Sequence, residues 1–216
     1  MTTKRFLSKT DRAERLNPQH HAHLVEALNA TDDDGDSYVD YFYDEPGSMP
    51  GTLTIEEDAS HPVIFLIDYG PDQANRVKIQ APEDCVPHLK SSSVSWIDVQ
   101  GLGSENILRR LGNVFKLHPL VLEDIVNVPQ RPKVEEYDEH LLLILRMVTL
   151  REDGTRFLSE QVSFILGENY LLTVQEEPHY DCFGPVRERI RTSKGNIRKH
   201  GVDYLTYALL DAIVDG

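Results

Sequence analysis

The sequence predicts an α/β domain, a three-layer α/β/α sandwich with a mixed sheet between helices. Strand-like and helix-like segments alternate along the chain instead of falling into separate blocks, the pattern of a sheet covered on both faces. Apolar runs of strand length occur at Val63-Ile64-Phe65-Leu66-Ile67 and Leu141-Leu142-Leu143-Ile144-Leu145, the second apolar on both faces. A length of 216 residues, 40% hydrophobic and 27% charged, is enough for one substantial core.

Residues 1–50 hold His20, His21, His23 and the run Asp32-Asp33-Asp34-Gly35-Asp36. Their charge is high and their apolar periodicity weak, so this segment is expected to be poorly ordered, with a helical turn or two at 24–28. From Gly51 the texture changes and a domain over 51–200 is expected. Thr52-Leu53-Thr54-Ile55 alternates and predicts a strand; residues 63–67 and 94–99 predict two more. Gly101 and Gly103 mark a turn. Ser104 suits the N-cap of a helix that lines up Ile107, Leu108, Leu111 and Phe115. A short helix then opens at Pro119, where a missing N–H costs nothing, and Pro129 and Pro132 forbid its continuation. Strands are predicted over 141–150 and 161–166. Gly167-Glu168-Asn169 makes a tight turn, and 170–174 pairs back as a hairpin. The tail is helical over 185–191 and 203–214.

The net charge is -14, from 22 basic and 36 acidic residues. That balance argues against nucleic acid and anionic membrane surfaces as partners and is compatible with cations. Cys85 and Cys182 are far apart and lack metal-knuckle spacing, so free thiols in a reducing compartment are expected. No signal peptide is expected after Met1-Thr2-Thr3-Lys4-Arg5, because no apolar run follows. No stretch reaches the roughly 20 apolar residues that span a bilayer, and Arg146 stops the best run.

Several motifs are weighed and set aside. An EF-hand with Gly35 as its sixth position needs an acid where Ala30 stands and a glutamate where Tyr41 stands. His20, His21 and His23 suit adventitious metal binding. Gly101-Leu102-Gly103 lacks the third glycine of a dinucleotide fingerprint. No nucleophile elbow, Walker loop or His-Glu-x-x-His pattern is found, so the chain is not expected to be an enzyme. Arg187, Arg189, Arg191 and Lys194, with Arg198 and Lys199, predict salt bridges to the surplus acids rather than an anion site.

The most informative stretch is His118-Pro119-Leu120-Val121-Leu122-Glu123-Asp124-Ile125, followed by Val126-Asn127-Val128-Pro129-Gln130-Arg131-Pro132-Lys133-Val134-Glu135. Glu123 and Asp124 place two carboxylates near the end of the helix, where the dipole favours cations. Asp211 and Asp215 lie at i,i+4 on the last helix and so share one side. Magnesium takes oxygen ligands, keeps several waters and uses one or two carboxylates directly, so both acid pairs are candidates.

The stretch resembles the signature of the CorA magnesium and cobalt channels, in the cytosolic part that precedes the membrane. The resemblance runs from about Val94 to the last residue, through Ser159-Glu160-Gln161-Val162-Ser163, Pro185-Val186-Arg187-Glu188-Arg189-Ile190-Arg191, Ile197-Arg198-Lys199, Asp203-Tyr204-Leu205 and Asp211-Ala212-Ile213-Val214-Asp215. It implies the same sandwich, ending at 201–216 in the start of a long stalk helix, with five copies in a funnel. In that family the pore helices and a Gly-Met-Asn loop follow the matched region. The chain is therefore expected to be a soluble cytoplasmic portion of a longer inner-membrane protein.

The resemblance further implies that Asp124 takes part in an inter-subunit regulatory metal site, and that Glu123, Asp211 and Asp215 form a neighbouring one. The expected function is Mg2+ sensing in a channel for Mg2+, with Co2+ as a further cation. The expected partners are divalent cations and copies of the chain in a homopentamer, with no nucleic acid. A zinc transporter of the ZntB type and a free-standing soluble metal-binding module are the alternatives.

Overall fold

In a computed structural model, which describes residues 50–56, 58–150, 157–177 and 181–215, a seven-stranded sheet runs through the middle of the chain. Its strands are β1 (Val63–Tyr69), β2 (Ala74–Ile79), β3 (Val94–Gln100), β4 (Lys133–Tyr137), β5 (His140–Leu150), β6 (Phe157–Leu166) and β7 (Tyr170–Gln175), in the order β2-β1-β3-β7-β6-β5-β4. Every neighbouring pair is antiparallel except the central one, where Ser95 to Gln100 of β3 run parallel to Tyr170 to Gln175 of β7. The sheet is mixed, as expected.

Four helices cover it: α1 (Glu105–Phe115), α2 (Pro119–Val126), α3 (Gly184–Thr192) and α4 (Val202–Asp215). Because successive residues of a strand face opposite ways, each buried strand feeds two cores. Ile97 and Val99 of β3, with Ile144 and Ile165, pack under Leu108 and Leu111 of α1 and Val121 and Ile125 of α2. Trp96, with Met147 and Phe164, packs on the other face under Val186 and Ile190 of α3 and Leu205 and Leu209 of α4. The result is three layers, α1 and α2 on one side and α3 and α4 on the other.

Local sequence accounts for the helix ends. Ser104 Oγ accepts the Ile107 amide at the start of α1, and Lys116 ends that helix in the left-handed region. The thin crossing at 59–61 needs glycine. Gly101 has φ +108°, and a Cβ there would meet the Ser60 carbonyl oxygen at 2.5 Å. Gly103 N donates to the same oxygen at 2.8 Å.

Two expectations need correction, and two strands were not expected at all. Residues 52–55 are not a strand. Their alternation is real as burial, with Leu53 in the core and Thr52 and Thr54 exposed, but the segment is not one of the seven strands of the sheet. Periodicity reports which side chains turn inward, not whether the backbone joins a sheet. Conversely, β2 and β4 were not legible as strands. They are the two sheet edges, where polar and charged residues such as Arg76, Lys78, Glu135 and Glu136 protect an open ladder. Finally, β6 begins at Phe157, paired with Leu150, four residues before the predicted start at Gln161. The expectations for residues 1–49, including the histidine and aspartate runs, lie outside the described residues.

The basic cluster near α3 resolves into separate duties. Arg187 reaches across to the fully buried Asp98 at 2.6 Å and to Asp181 at 2.5 Å. Arg191 pairs with Glu188. Arg198 donates to the carbonyls of Ile190 and Arg191, closing the C-terminal end of α3. The thiols are free, and burial pushes Cys85 up to about 12 and Cys182 up to about 11, which leaves them poor nucleophiles and poor metal ligands at neutral pH.

Candidate functional site

The proline-bounded helix α2 carries the first acid pair. Pro119 occupies its first turn, and His118 caps it, Nδ1 accepting the Leu120 amide at 3.2 Å. Val121, Leu122, Ile125 and Val126 are buried and fix which side faces the sheet. Glu123 and Asp124, between those apolar positions, are left half-buried at the rim.

Asp124 is held from two directions. Gln130 Nε2 donates to its Oδ1 at 2.9 Å, and the Lys133 ammonium sits 2.9 Å from its Oδ2. The same ammonium lies 3.1 Å from Glu135 Oε1 on the edge strand β4, and Tyr137 Oη donates to Glu135 Oε2 at 3.2 Å. Burial pulls the Lys133 pKa down, but hydrogen bonds to Asp124 and Glu135 outweigh it and hold the pKa above its ordinary value. Lys133 supplies the positive charge that the C-terminal half of α2 lacks among its own residues. Glu123 is occupied differently: its Oε2 accepts the Gly51 backbone amide, which brings residues 51–53 against the first turn of α2.

Gln161, in the middle of β6, locks this arrangement in place. Its Nε2 donates to the carbonyls of Asp124 at 3.1 Å and Ile125 at 3.3 Å, two of the last four carbonyls of α2, which have no partner within the helix. Its Oε1 accepts the Gln130 amide at 2.9 Å. One buried side chain therefore ties the helix end and the proline loop to the sheet.

The second acid pair stands elsewhere. Asp211 and Asp215 lie one turn apart on α4, both exposed, on the opposite layer from α2. Among the described residues, no three histidine, cysteine or acidic side chains come together in a group that could hold a metal ion. Within one chain, then, the Glu123 and Asp124 carboxylates take separate partners, Gly51 on one hand and Gln130 with Lys133 on the other, and neither residue joins Asp211 and Asp215, which lie on the opposite layer.

Fit to a hard cation can be judged from Asp124 itself. Its side chain is 17% exposed, so solvent reaches it, and an ammonium already occupies one oxygen as a stand-in positive charge. Mg2+ uses one or two carboxylates with the remaining ligands water, so Asp124 could supply one ligand once the ammonium moves away, with the others coming from outside this group. Sequence reasoning did not single out Lys133, Gln161 or Gly51. The available signals were the lysine nine residues after Asp124 and a glutamine in a strand whose other polar residues are Ser159, Glu160 and Ser163. Neither says what it touches.

The chain has clear relatives. A family model described as CorA-like Mg2+ transporter protein matches residues 91–216. The cobalt/magnesium transport protein CorA of Thermotoga maritima is 41% identical over 170 residues, which cover 79% of this chain and 47% of that protein. The putative metal ion transporter YfjQ of Bacillus subtilis is 28% identical over 133 residues, covering 60% of this chain and 39% of that protein. Among solved structures, the complete CorA magnesium transporter from Methanocaldococcus jannaschii matches with a TM-score of 0.52 at 18% identity, over 70% of this chain and 44% of that one. That last likeness is one of fold. The chain thus spans less than half the length of each of these proteins. Among the described residues, no helix is long and apolar enough to cross a membrane.

Proposed function

Because the chain belongs to the CorA-like family of Mg2+ transporter proteins, we propose that it is the cytosolic, cation-sensing part of a CorA-type transporter of Mg2+, with Co2+ as a second cation. It is a regulatory domain and not an enzyme. In the longer protein it hangs from the inner membrane and assembles with copies of itself, five in the complete ring. The observation that carries this reading is Asp124: a half-buried carboxylate near the wrong end of a helix for its charge, already neutralised by a cation of the chain.

The acids on the two layers then find each other between copies. Glu123 and Asp124 of one copy approach Asp211 and Asp215 of the next, and these carboxylates repel across the seam when bare. A shared divalent cation supplies the charge that holds such a seam together. A coupling of about 1–3 kcal/mol per site suffices, since several seams act in concert.

The test is sedimentation velocity and limited proteolysis of the chain in Mg2+ and in chelator. The wild type should associate and gain protease protection in Mg2+. The Asp124→Asn, Asp211→Asn double variant should do neither. Equal association and protection in the double variant would refute the reading.

A further inference from the structure

We propose that Lys133 is a tethered competitor for the cation site: its ammonium swings between Asp124, where it blocks a divalent ion, and Glu135, where it leaves Asp124 free, and this exchange sets the cation concentration to which the site responds. The inference rests on the cation reading of Asp124 given above and adds the residue that sets its threshold.

Three features of the geometry carry it. The ammonium lies 2.9 Å from Asp124 Oδ2 and 3.1 Å from Glu135 Oε1, so it already bridges both carboxylates and needs only a short rotation about its own stem to favour one. Lysine makes such an exchange easy, because its charge is compact and carried on four flexible carbons; an arginine fork would be more strongly committed to one geometry. The destination is prepared as well. Glu135 is held by the Tyr137 hydroxyl through Oε2, while Oε1 faces the lysine.

The pair is also accessible. The Lys133 side chain is 28% exposed and Asp124 17%, so the exchange takes place at the rim and an incoming ion need not cross a core. The other oxygen of Asp124 keeps its hydrogen bond from Gln130 Nε2 in either state, which holds the carboxylate in place while its partner changes.

Charge fixes the direction and size of the effect. A unit positive charge about 5 Å from a divalent ion in water-like surroundings weakens binding on the order of tenfold, less at high salt. Lys133→Met, which keeps much of the stem and removes the charge, should therefore tighten Mg2+ binding by about that factor. Lys133→Arg should stay near wild type or bind more weakly. Glu135→Gln, which removes both the resting place and a nearby negative charge, should weaken binding in both backgrounds, and by less in Lys133→Met, where only the direct attraction of that charge is lost.

The experiment is titration calorimetry of the 216-residue chain with MgCl2 at constant ionic strength, on wild type, Lys133→Met, Lys133→Arg, Glu135→Gln, the Lys133→Met, Glu135→Gln double and Asp124→Asn. Melting in chelator shows that each variant is folded, and Lys133→Gln replaces the methionine variant if that one is not. Tighter binding in the methionine variant, with the Glu135 effect shrinking in the double, supports the proposal. Binding that Asp124→Asn abolishes but that Lys133→Met leaves unchanged or weakens overturns it while leaving the cation site intact. Absence of any Asp124-dependent heat in both wild type and Lys133→Met overturns the cation reading itself, and the competitor role with it.

Discussion

Gln161→Met is the most direct test of how the acid-bearing helix is held. The substitution keeps the length and most of the volume of the side chain and removes three hydrogen bonds: those to the Asp124 and Ile125 carbonyls and that from the Gln130 amide. Gln161 is 2% exposed, so water does not readily replace them. A neutral hydrogen bond contributes about 0.5–1.5 kcal/mol net, and a polar group left unpaired in the interior costs about 1–3 kcal/mol. Gln130 is half-buried and recovers part of its loss from solvent, so the total is about 3 kcal/mol. For a domain of this size that corresponds to a fall of about 6–12 °C in Tm. Urea melts give the free energy, with an unchanged m-value showing that the denatured state is not altered. Gln130→Ala, which removes one side-chain bond to Asp124, is the control and should cost about 1 kcal/mol. A Gln161→Met variant within about 0.5 kcal/mol of wild type would show that the loop is held by something other than Gln161.

Two further predictions follow from other buried groups. Arg187→Met leaves the carboxylates of Asp98 and Asp181 without their shared cation, one of them fully buried; we expect a loss of about 3–5 kcal/mol by urea melts, partly restored by adding Asp98→Asn. Burial lowers the pKa of His140, whose Nδ1 has no hydrogen-bond partner among the described residues. The unfolded chain therefore takes up this proton near pH 6.5, before the folded chain does. The contribution of His140 is complete above that pH and is lost as pH falls through the lowered folded value. His140→Phe should flatten that part of the stability curve, measured as a smaller difference between urea melts at pH 7.5 and pH 5.5.

Much of the fold was legible because burial writes itself into composition. The strands at 63–67, 94–99, 141–150 and 170–174, and the helix capped by Ser104, carry apolar residues at the period their element demands. The edge strands were not legible, because an edge is selected to look unlike a strand: Lys133, Glu135 and Glu136 serve solubility and the acid site, while only the ladder to β5 marks them as sheet. Glu123 and Asp124 could be singled out because they break a local rule, negative charge toward a helix C-terminus between two prolines. Their supports could not, because the contacts that matter reach across the fold: Gln161 is 37 residues from Asp124 in sequence and 31 from Gln130.

The broken rule and its repair point the same way. If the aspartate were kept for packing, an apolar or basic residue at 124 would satisfy the helix at lower electrostatic cost, and Lys133 would need no acid to face. Instead the fold keeps the unfavourable charge, anchors the backbone beneath it through Gln161, holds one of its oxygens through Gln130 and neutralises the other with a movable ammonium. Sites where local preference is overruled and the cost is offset by several independent contacts are where function is expected. Here the contacts share one feature: among the described residues, Gln130 and Lys133 both hold the Asp124 carboxylate through side-chain donors, so it can change partners with the backbone left in place. A purely structural ion pair gains nothing from that freedom, whereas a carboxylate that must exchange one cation for another depends on it.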